Sequence, residues 1–356
     1  MSEKPLYTIP IDQRPPHGPL TSKIFFPLIF NLAQLGINSA QFLCLPLLLI
    51  PIVGRGWFDS AIGWTKDGYG RLLIVITVLF GPTSLVLTTD TPPSITNLVE
   101  RDAHGNLIKI NLPARLVIMA NHQAYLDWMY LWILSCYAGH SRGITILLKA
   151  SLKNIPVIGW GMRFFKFIFM NRSWATDRDN LTLALTQLGH QAQSGEEDHS
   201  ETSGLLAPKK RSPLWLLIFP EGTIVSDEER VKSVKYAERE GIPDFITMLH
   251  PRSTGLLFCL RTLLPQVPNL QLLDVTIGYP GVPYGKYPQD CRSLSVGDDQ
   301  PPSDTGIASP EESRAFELWL RGIWTAKEKR MEGFYENQRF ESGEGGAREV
   351  IHVKQT

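Results

Sequence analysis

The chain of 356 residues carries 35 basic and 35 acidic side chains, a formal net charge of zero. That length allows one large domain or two small ones with a substantial core, and the even charge balance argues against a nucleic-acid protein, which normally shows a basic excess. Cys44, Cys136, Cys259 and Cys291 are scattered without paired spacing, so neither a zinc site nor a disulfide framework is indicated.

Residues 1–23 are proline-rich and aperiodic and read as a disordered tail. Ile24 to Gly54 contains no charged residue and is long enough to cross a bilayer as a helix. A cleavable signal peptide has a shorter apolar region, so an anchor is expected. A second uncharged run, Leu72 to Thr89, follows a polar loop holding Arg55, Asp59, Lys66, Asp67 and Arg71. Gly81-Pro82 interrupts it, so it is read as crossing, re-entering or lying in the interface. Residues 24–89 are therefore assigned to membrane anchoring; the competing reading of both runs is core helices of a soluble protein. Basic residues are spread too evenly to orient them.

From residue 90 the pattern is that of a globular domain. Two strand-like runs flank Asp102 to Asn106, a hairpin signal. The run Leu116 to Ala120 reads as a buried strand that delivers Asn121 and His122 to a sheet edge, with Asp127 five residues past the histidine. Positions five apart do not share a helical face. If the side chains meet, His122 sits in a turn and Asp127 in the first turn of the next helix, an arrangement suited to a general base oriented by a carboxylate. A turn histidine followed by a helix-capping aspartate has the same spacing.

A strand at 144–148 leads to Lys149 and Lys153; a helical stretch follows at 175–193, then a polar, flexible surface loop at 194–213. The strand at 214–219 ends in Pro220-Glu221-Gly222-Thr223, so two buried strands each finish in polar residues. One sheet can bring both to the same rim, where ligands of open α/β sheets bind. Apolar strands alternating with helices give an α/β sandwich. A further strand at 272–281 is followed by a loop at 285–310, a closing helix at 312–336 and a polar tail from 341.

Four blocks, Asn121-His122-Gln-Ala-Tyr-Leu-Asp127, Phe169-Met-Asn-Arg172, Phe219-Pro-Glu221-Gly222-Thr223 and Val275-Thr-Ile-Gly-Tyr-Pro280, resemble in this order the signatures of glycerolipid acyltransferases related to 1-acylglycerol-3-phosphate acyltransferase. Together with Leu249-His250-Pro-Arg252-Ser-Thr-Gly255, the third block is most similar to the branch of lysocardiolipin and lysophosphatidylinositol acyltransferases. The resemblance covers residues 90–290. It implies a glycerol-3-phosphate acyltransferase-like α/β fold, no resident cofactor, acyl-CoA as co-substrate and a lysophospholipid in the membrane as acceptor.

By the same resemblance, His122 is the general base, Asp127 stands behind it, Arg172 binds the acceptor phosphate, and Glu221, Gly222 and Thr223 contact the acceptor. Lys149 and Lys153 are candidates for the CoA phosphates. An integral membrane protein of the endoplasmic reticulum, with its catalytic domain in the cytosol, is the implied location. No Gly-x-Ser-x-Gly elbow occurs, so direct transfer is expected rather than an acyl-enzyme. The sequence leaves two other classes open, a membrane-bound hydrolase using the same His-Asp pair and a non-catalytic lipid-binding protein.

Overall fold

The computed structural model describes residues 20–89, 97–171, 173–193, 212–282, 284, 293–298, 308–343 and 346–354. Arg172, most of the 194–213 loop and residues 1–19 lie outside these.

The chain begins in a long helix, α1 (Leu20–Leu43), which continues as a 3-10 turn to Leu49. Its packing is inverted relative to a soluble core helix. The buried side chains are Gln34, Asn38 and Gln41, while Ile24, Phe25, Phe26, Leu28, Leu32 and Leu35 are exposed. The polar stripe docks on α4 (Ile158–Phe164), where Asn38 Nδ2 donates to the Val157 carbonyl at 2.7 Å. Gly161 permits this approach, since a Cβ there would sit 3.1 Å from Gln34 Nε2. Leu20–Leu49 is, among the described residues, the segment long and apolar enough to cross a membrane, with a mean hydropathy of 1.5.

The second uncharged run is not one continuous span. Its first half is the end of α2 (Gly54–Phe80), and its second half is a strand, β1 (Ser84–Thr89). The supposed polar loop is helical: Arg55 pairs with Asp59 and Arg71 with Asp67 one turn apart on its outer face, while Lys66 is buried and donates to the Phe165 carbonyl. The opposite face buries Phe58, Ile62, Tyr69, Leu73 and Ile74. Pro82 cannot continue the helix, and beyond it the residues of Ser-Leu-Val-Leu-Thr-Thr suit a pleated strand.

Next come the hairpin β2 (Val99–Arg101) and β3 (Leu107–Ile110), β4 (Arg115–Ala120), α3 (Asp127–Tyr137) and β5 (Ile144–Lys149). After α4 follow β6 (Ile168–Met170), α5 (Trp174–Gln193), β7 (Leu214–Ile218), α6 (Asp227–Glu240) and α7 (Ser253–Leu263). The chain then runs through β8 (Gln271–Gly278), β9 (Ser293–Asp298), α8 (Pro310–Asn337) and β10 (Arg348–His352).

The main sheet has the order β10-β1-β9-β8-β4-β7-β5-β6. Strands β8, β4, β7, β5 and β6 are mutually parallel, and β9 runs antiparallel to β8. Strand β4, buried along its whole length, lies at the centre. One face packs Tyr69 of α2 with Tyr130 and Trp132 of α3; the other packs Leu181 and Leu185 of α5, Leu256 and Leu260 of α7, and Leu320 and Trp324 of α8.

Two stretches that look structureless in sequence therefore join the sheet, β9 within the 285–310 loop and β10 within the polar tail, while β1 joins it from the anchoring region. Strand β10, at the edge of the sheet, reads weakly because most of its side chains face outward. Here Ile351 is the buried residue of β10.

Candidate active site

Because β7, β4 and β8 are parallel and in register, with Met119 opposite Ile218 and Ala120 opposite Val275, the residues that follow them emerge together on one rim. Asn121 extends the ladder by side chain. Its Nδ2 donates to the Ile277 carbonyl at 3.0 Å, and its Oδ1 accepts the Ile277 N–H at 2.6 Å. This double bond fixes the point at which the chain leaves the sheet and places His122 just beyond it.

Asp127 is fully buried at the first position of α3 and turns back on the loop. Its Oδ2 accepts from His122 Nδ1 at 2.8 Å, from the Gln123 N–H at 2.7 Å and from the Ala124 N–H at 2.9 Å. Its Oδ1 accepts the hydroxyl of Tyr279. The carboxylate thus organises the whole turn rather than capping a helix. Since it accepts at Nδ1–H, the neutral imidazole carries its lone pair on Nε2. The His122 ring stacks on Phe219 with centroids 4.1 Å apart and planes 16° apart, and lines a cavity of about 1100 Å³.

The cavity has two chemically distinct parts. Tyr69, Trp128, Trp132, Met162, Phe165 and Phe167 give it an apolar side, contributed by α2, α3 and the α4 region. Lys232, Ser233, Tyr236, His250 and Arg252 give it a polar side, contributed by α6 and the segment before α7. His122, Phe219, Glu221, Gly222 and Thr223 also line it.

Glu221 differs from the sequence expectation in its role. It is 2% exposed, and both its oxygens are taken by backbone: Oε1 by the His122 N–H at 3.1 Å and Oε2 by the Leu249 N–H at 3.2 Å. A carboxyl so enclosed clamps the two loops together. It is not a helix N-terminal acid, a place filled by Asp227, Glu228 and Glu229 behind the Ser226 cap. Burial pushes its carboxyl up from 4.5 to about 8, against the pull of the two N–H donors.

Because the folded form holds a proton that the unfolded chain has already lost, this group makes the fold progressively less stable as pH rises from 4.5 to about 8, with no further change above. Glu221→Gln should remove that slope from pH-dependent unfolding curves. It should also lower kcat on the order of tenfold with little change in KM, because the amide N–H₂ must face one of the two backbone donors. Unchanged kcat would show that the clamp is dispensable.

Gly222 adopts φ +74°, a left-handed conformation that an L side chain would strain. Thr223 is partly buried beside it. Of the two lysines, Lys149 ends β5 and lines the cavity, whereas Lys153 lies in the following 3-10 turn and does not reach it. Arg172 falls outside the described residues. Cys44, Cys136 and Cys259 do not line the cavity, and burial pushes the Cys136 and Cys259 thiols up to about 12, so none is poised as a nucleophile.

Tyr279, in the fourth block, and the residues that support the site from behind have no role that the sequence alone reveals. Gln123 Nε2 donates to the Thr247 carbonyl at 2.9 Å, and Glu328 of α8 accepts the Thr247 N–H at 2.9 Å and its hydroxyl at 2.6 Å. The neighbouring Lys327 is fully buried, 2.5 Å from Asp274 Oδ1, and donates to the Val275 carbonyl at 2.6 Å. Two adjacent charges on a helix far along the chain carried no local signal of these contacts.

A family model described as Acyltransferase matches residues 106–279, which span the first three blocks and the fourth as far as Tyr279. The 2-acyl-1-lysophosphatidylinositol acyltransferase of Saccharomyces cerevisiae is 32% identical over 331 residues, covering 84% of this chain and 83% of that protein. Lysocardiolipin acyltransferase 1 of Danio rerio is 32% identical over 229 residues, covering 62% of this chain and 53% of that protein. The crystal structure of the 1-acyl-sn-glycerophosphate acyltransferase PlsC from Thermotoga maritima aligns at 14% identity with a TM-score of 0.42, covering 86% of this chain and 96% of that one.

A His-Asp pair on the rim of a mainly parallel α/β sheet, opening on a cavity with apolar and polar sides, has the parts of an enzyme that moves a proton at His122. The chain belongs to the acyltransferase family.

Proposed function

We propose that the protein transfers a fatty acyl group from acyl-CoA to the free hydroxyl of a lysophospholipid, and that lysophosphatidylinositol is the first acceptor to test. The observation that carries this reading is the position of His122 Nε2 at a cavity with apolar and polar sides, since the reaction joins a fatty tail to a polar glycerol at one point. The relatives named for lysophosphatidylinositol and lysocardiolipin support the acceptor class.

Nε2 takes the proton of the glycerol hydroxyl as its oxygen bonds to the thioester carbonyl carbon, and Asp127 stabilises the imidazolium that forms. Collapse of the tetrahedral intermediate breaks the C–S bond. The imidazolium returns its proton to the departing CoA thiolate, leaving ester, free CoA and neutral His122. Acyl-CoA is consumed as a co-substrate and no resident cofactor takes part. The acyl chain occupies the side lined by Trp128, Trp132 and Phe167. Lys149, at the end of β5, lies two strands from β4, where the CoA phosphates would sit farther from the reacting carbonyl. Arg172 keeps the acceptor-phosphate role that the resemblance gives it.

The deciding assay measures thiol release and ester formation from acyl-CoA with and without lysophospholipid. Acceptor-dependent ester formation is expected; thiol release without acceptor would identify a hydrolase, and neither product a lipid-binding protein.

The outward apolar face of α1 suits contact with lipid, with the endoplasmic reticulum and a cytosol-facing site as the proposed setting. Deleting residues 1–53 should abolish flotation with liposomes and lower turnover of bilayer-embedded lysolipid far more than that of detergent-dispersed lysolipid. The cut stops before α2 because β1 is a strand of the main sheet. Full activity on liposomes would remove α1 from substrate presentation.

A further inference from the structure

We infer that Arg252 binds the acceptor's phosphate and so sets the glycerol hydroxyl against His122; this rests on the acyl transfer proposed above. The segment Leu249 to Ser253 is tied to the strand end that carries Glu221 by two hydrogen bonds from its backbone N–H groups. Leu249 N–H reaches Glu221 Oε2 at 3.2 Å, and Arg252 N–H reaches the Pro220 carbonyl at 2.8 Å. Glu221 in turn holds the His122 N–H, so Arg252 is fastened to the same loop cluster as the base.

The side chain of Arg252 runs alongside Gly222, its Nε 3.8 Å from where a Cβ on that glycine would lie, and it lines the cavity with His122. It is exposed, and its guanidinium has no carboxylate or carbonyl partner among the described residues. The other basic side chain on the polar side differs, because Lys232 Nζ is held by Glu229 at 2.6 Å. A guanidinium without a partner among the described residues, in the same cavity as a catalytic base, is placed to grip a tetrahedral oxyanion bidentately.

Phosphate reaches this cavity from two sources, the lysophospholipid and CoA. In a lysophospholipid the phosphorus is only a few bonds from the hydroxyl that must meet Nε2, whereas in acyl-CoA the long pantetheine arm separates the nearest phosphate from the thioester. A cation fastened next to His122 through Glu221 and Gly222 therefore matches the acceptor.

The test compares Arg252→Gln and Arg252→Lys with the parent protein, using lysophosphatidic acid and a monoacylglycerol of the same chain length as acceptors. Because the side chain is exposed and its backbone N–H bond is retained, both variants should fold. Arg252→Gln should lower kcat/KM for lysophosphatidic acid on the order of 10- to 100-fold, leave KM for acyl-CoA unchanged and leave turnover of monoacylglycerol unchanged. Arg252→Lys, which keeps charge and loses the planar fork, should fall between the two.

Binding of lysophosphatidic acid to His122→Ala protein, with and without Arg252→Gln, gives a second readout that needs no turnover. Loss of that binding while wild-type protein transfers no acyl group would uphold the phosphate site and reject acyl transfer. A raised KM for acyl-CoA with an unchanged KM for lysophosphatidic acid would move Arg252 to CoA. An equal loss with both acceptors, or no loss with either, would overturn the inference.

Discussion

His122→Ala protein should fold and associate with membranes as the parent does, yet lose on the order of 10³ to 10⁶ of its turnover. The expectation follows from the geometry of the ring. Nδ1 is committed to Asp127 at 2.8 Å, and Nε2 is the nitrogen left for the acceptor hydroxyl. Cys44, Cys136 and Cys259 do not line the cavity, so none can take over as nucleophile. The His122 side chain is partly exposed and packs face to face on Phe219, so truncation leaves a small gap at the cavity wall instead of a hole in the core. The backbone N–H of residue 122 still reaches Glu221, which keeps the loop in place. Acyl transfer per folded molecule is the measurement, with near-UV circular dichroism as the fold control. Turnover within tenfold of the parent would dismiss the general-base role.

Asp127→Asn should cost about 10⁴ in kcat with little change in either KM, by analogy with the loss of a buried carboxylate behind a catalytic histidine. The substitution isolates charge from scaffolding. The amide oxygen can still accept the Gln123, Ala124 and imidazole N–H groups that meet Oδ2, and the amide nitrogen can donate to the Tyr279 hydroxyl oxygen where Oδ1 now accepts. What disappears is the negative charge that favours the imidazolium, an interaction made only as the proton moves. Asp127→Ala is the structural contrast. It orphans buried N–H groups at about 1 to 3 kcal/mol each and should lower the melting temperature as well. If Asp127→Asn retains full kcat, the carboxylate is a turn-forming group and His122 acts without it.

The site's reacting pair was legible because it is local. Five residues separate His122 from Asp127, and a β-branched apolar run ending in polar groups marks the end of a buried strand wherever it occurs. The strand that ends at Glu221 could be found in the same way, and the order of the four blocks identified the family. Long-range roles were not legible. Glu221 looks like an acceptor ligand in a motif, and only the approach of Leu249 shows that its second oxygen is already occupied. Thr247, Glu328 and Lys327 act through contacts some eighty and fifty residues away in sequence, which no spacing rule reaches.

The membrane region divides along the same line. Composition fixed a first segment able to cross a bilayer, since length and lack of charge are sufficient for that property. It could not say which way the helix faces, and the polar stripe of Gln34, Asn38 and Gln41 against α4 is what turns the apolar face outward. The run from Leu72 to Thr89 has an anchor's composition but is half helix and half strand, because β9 and β10 supply partners for the backbone of β1. By itself, then, the sequence determined the family, the His-Asp pair and the central strands, all set by residues close in the chain. The tertiary structure decided the places of β1, β9 and β10 in the sheet, the clamp at Glu221 and the placement of Arg252 in the cavity of the base, because each depends on hydrogen bonds and packing between segments that meet only when the sheet is assembled.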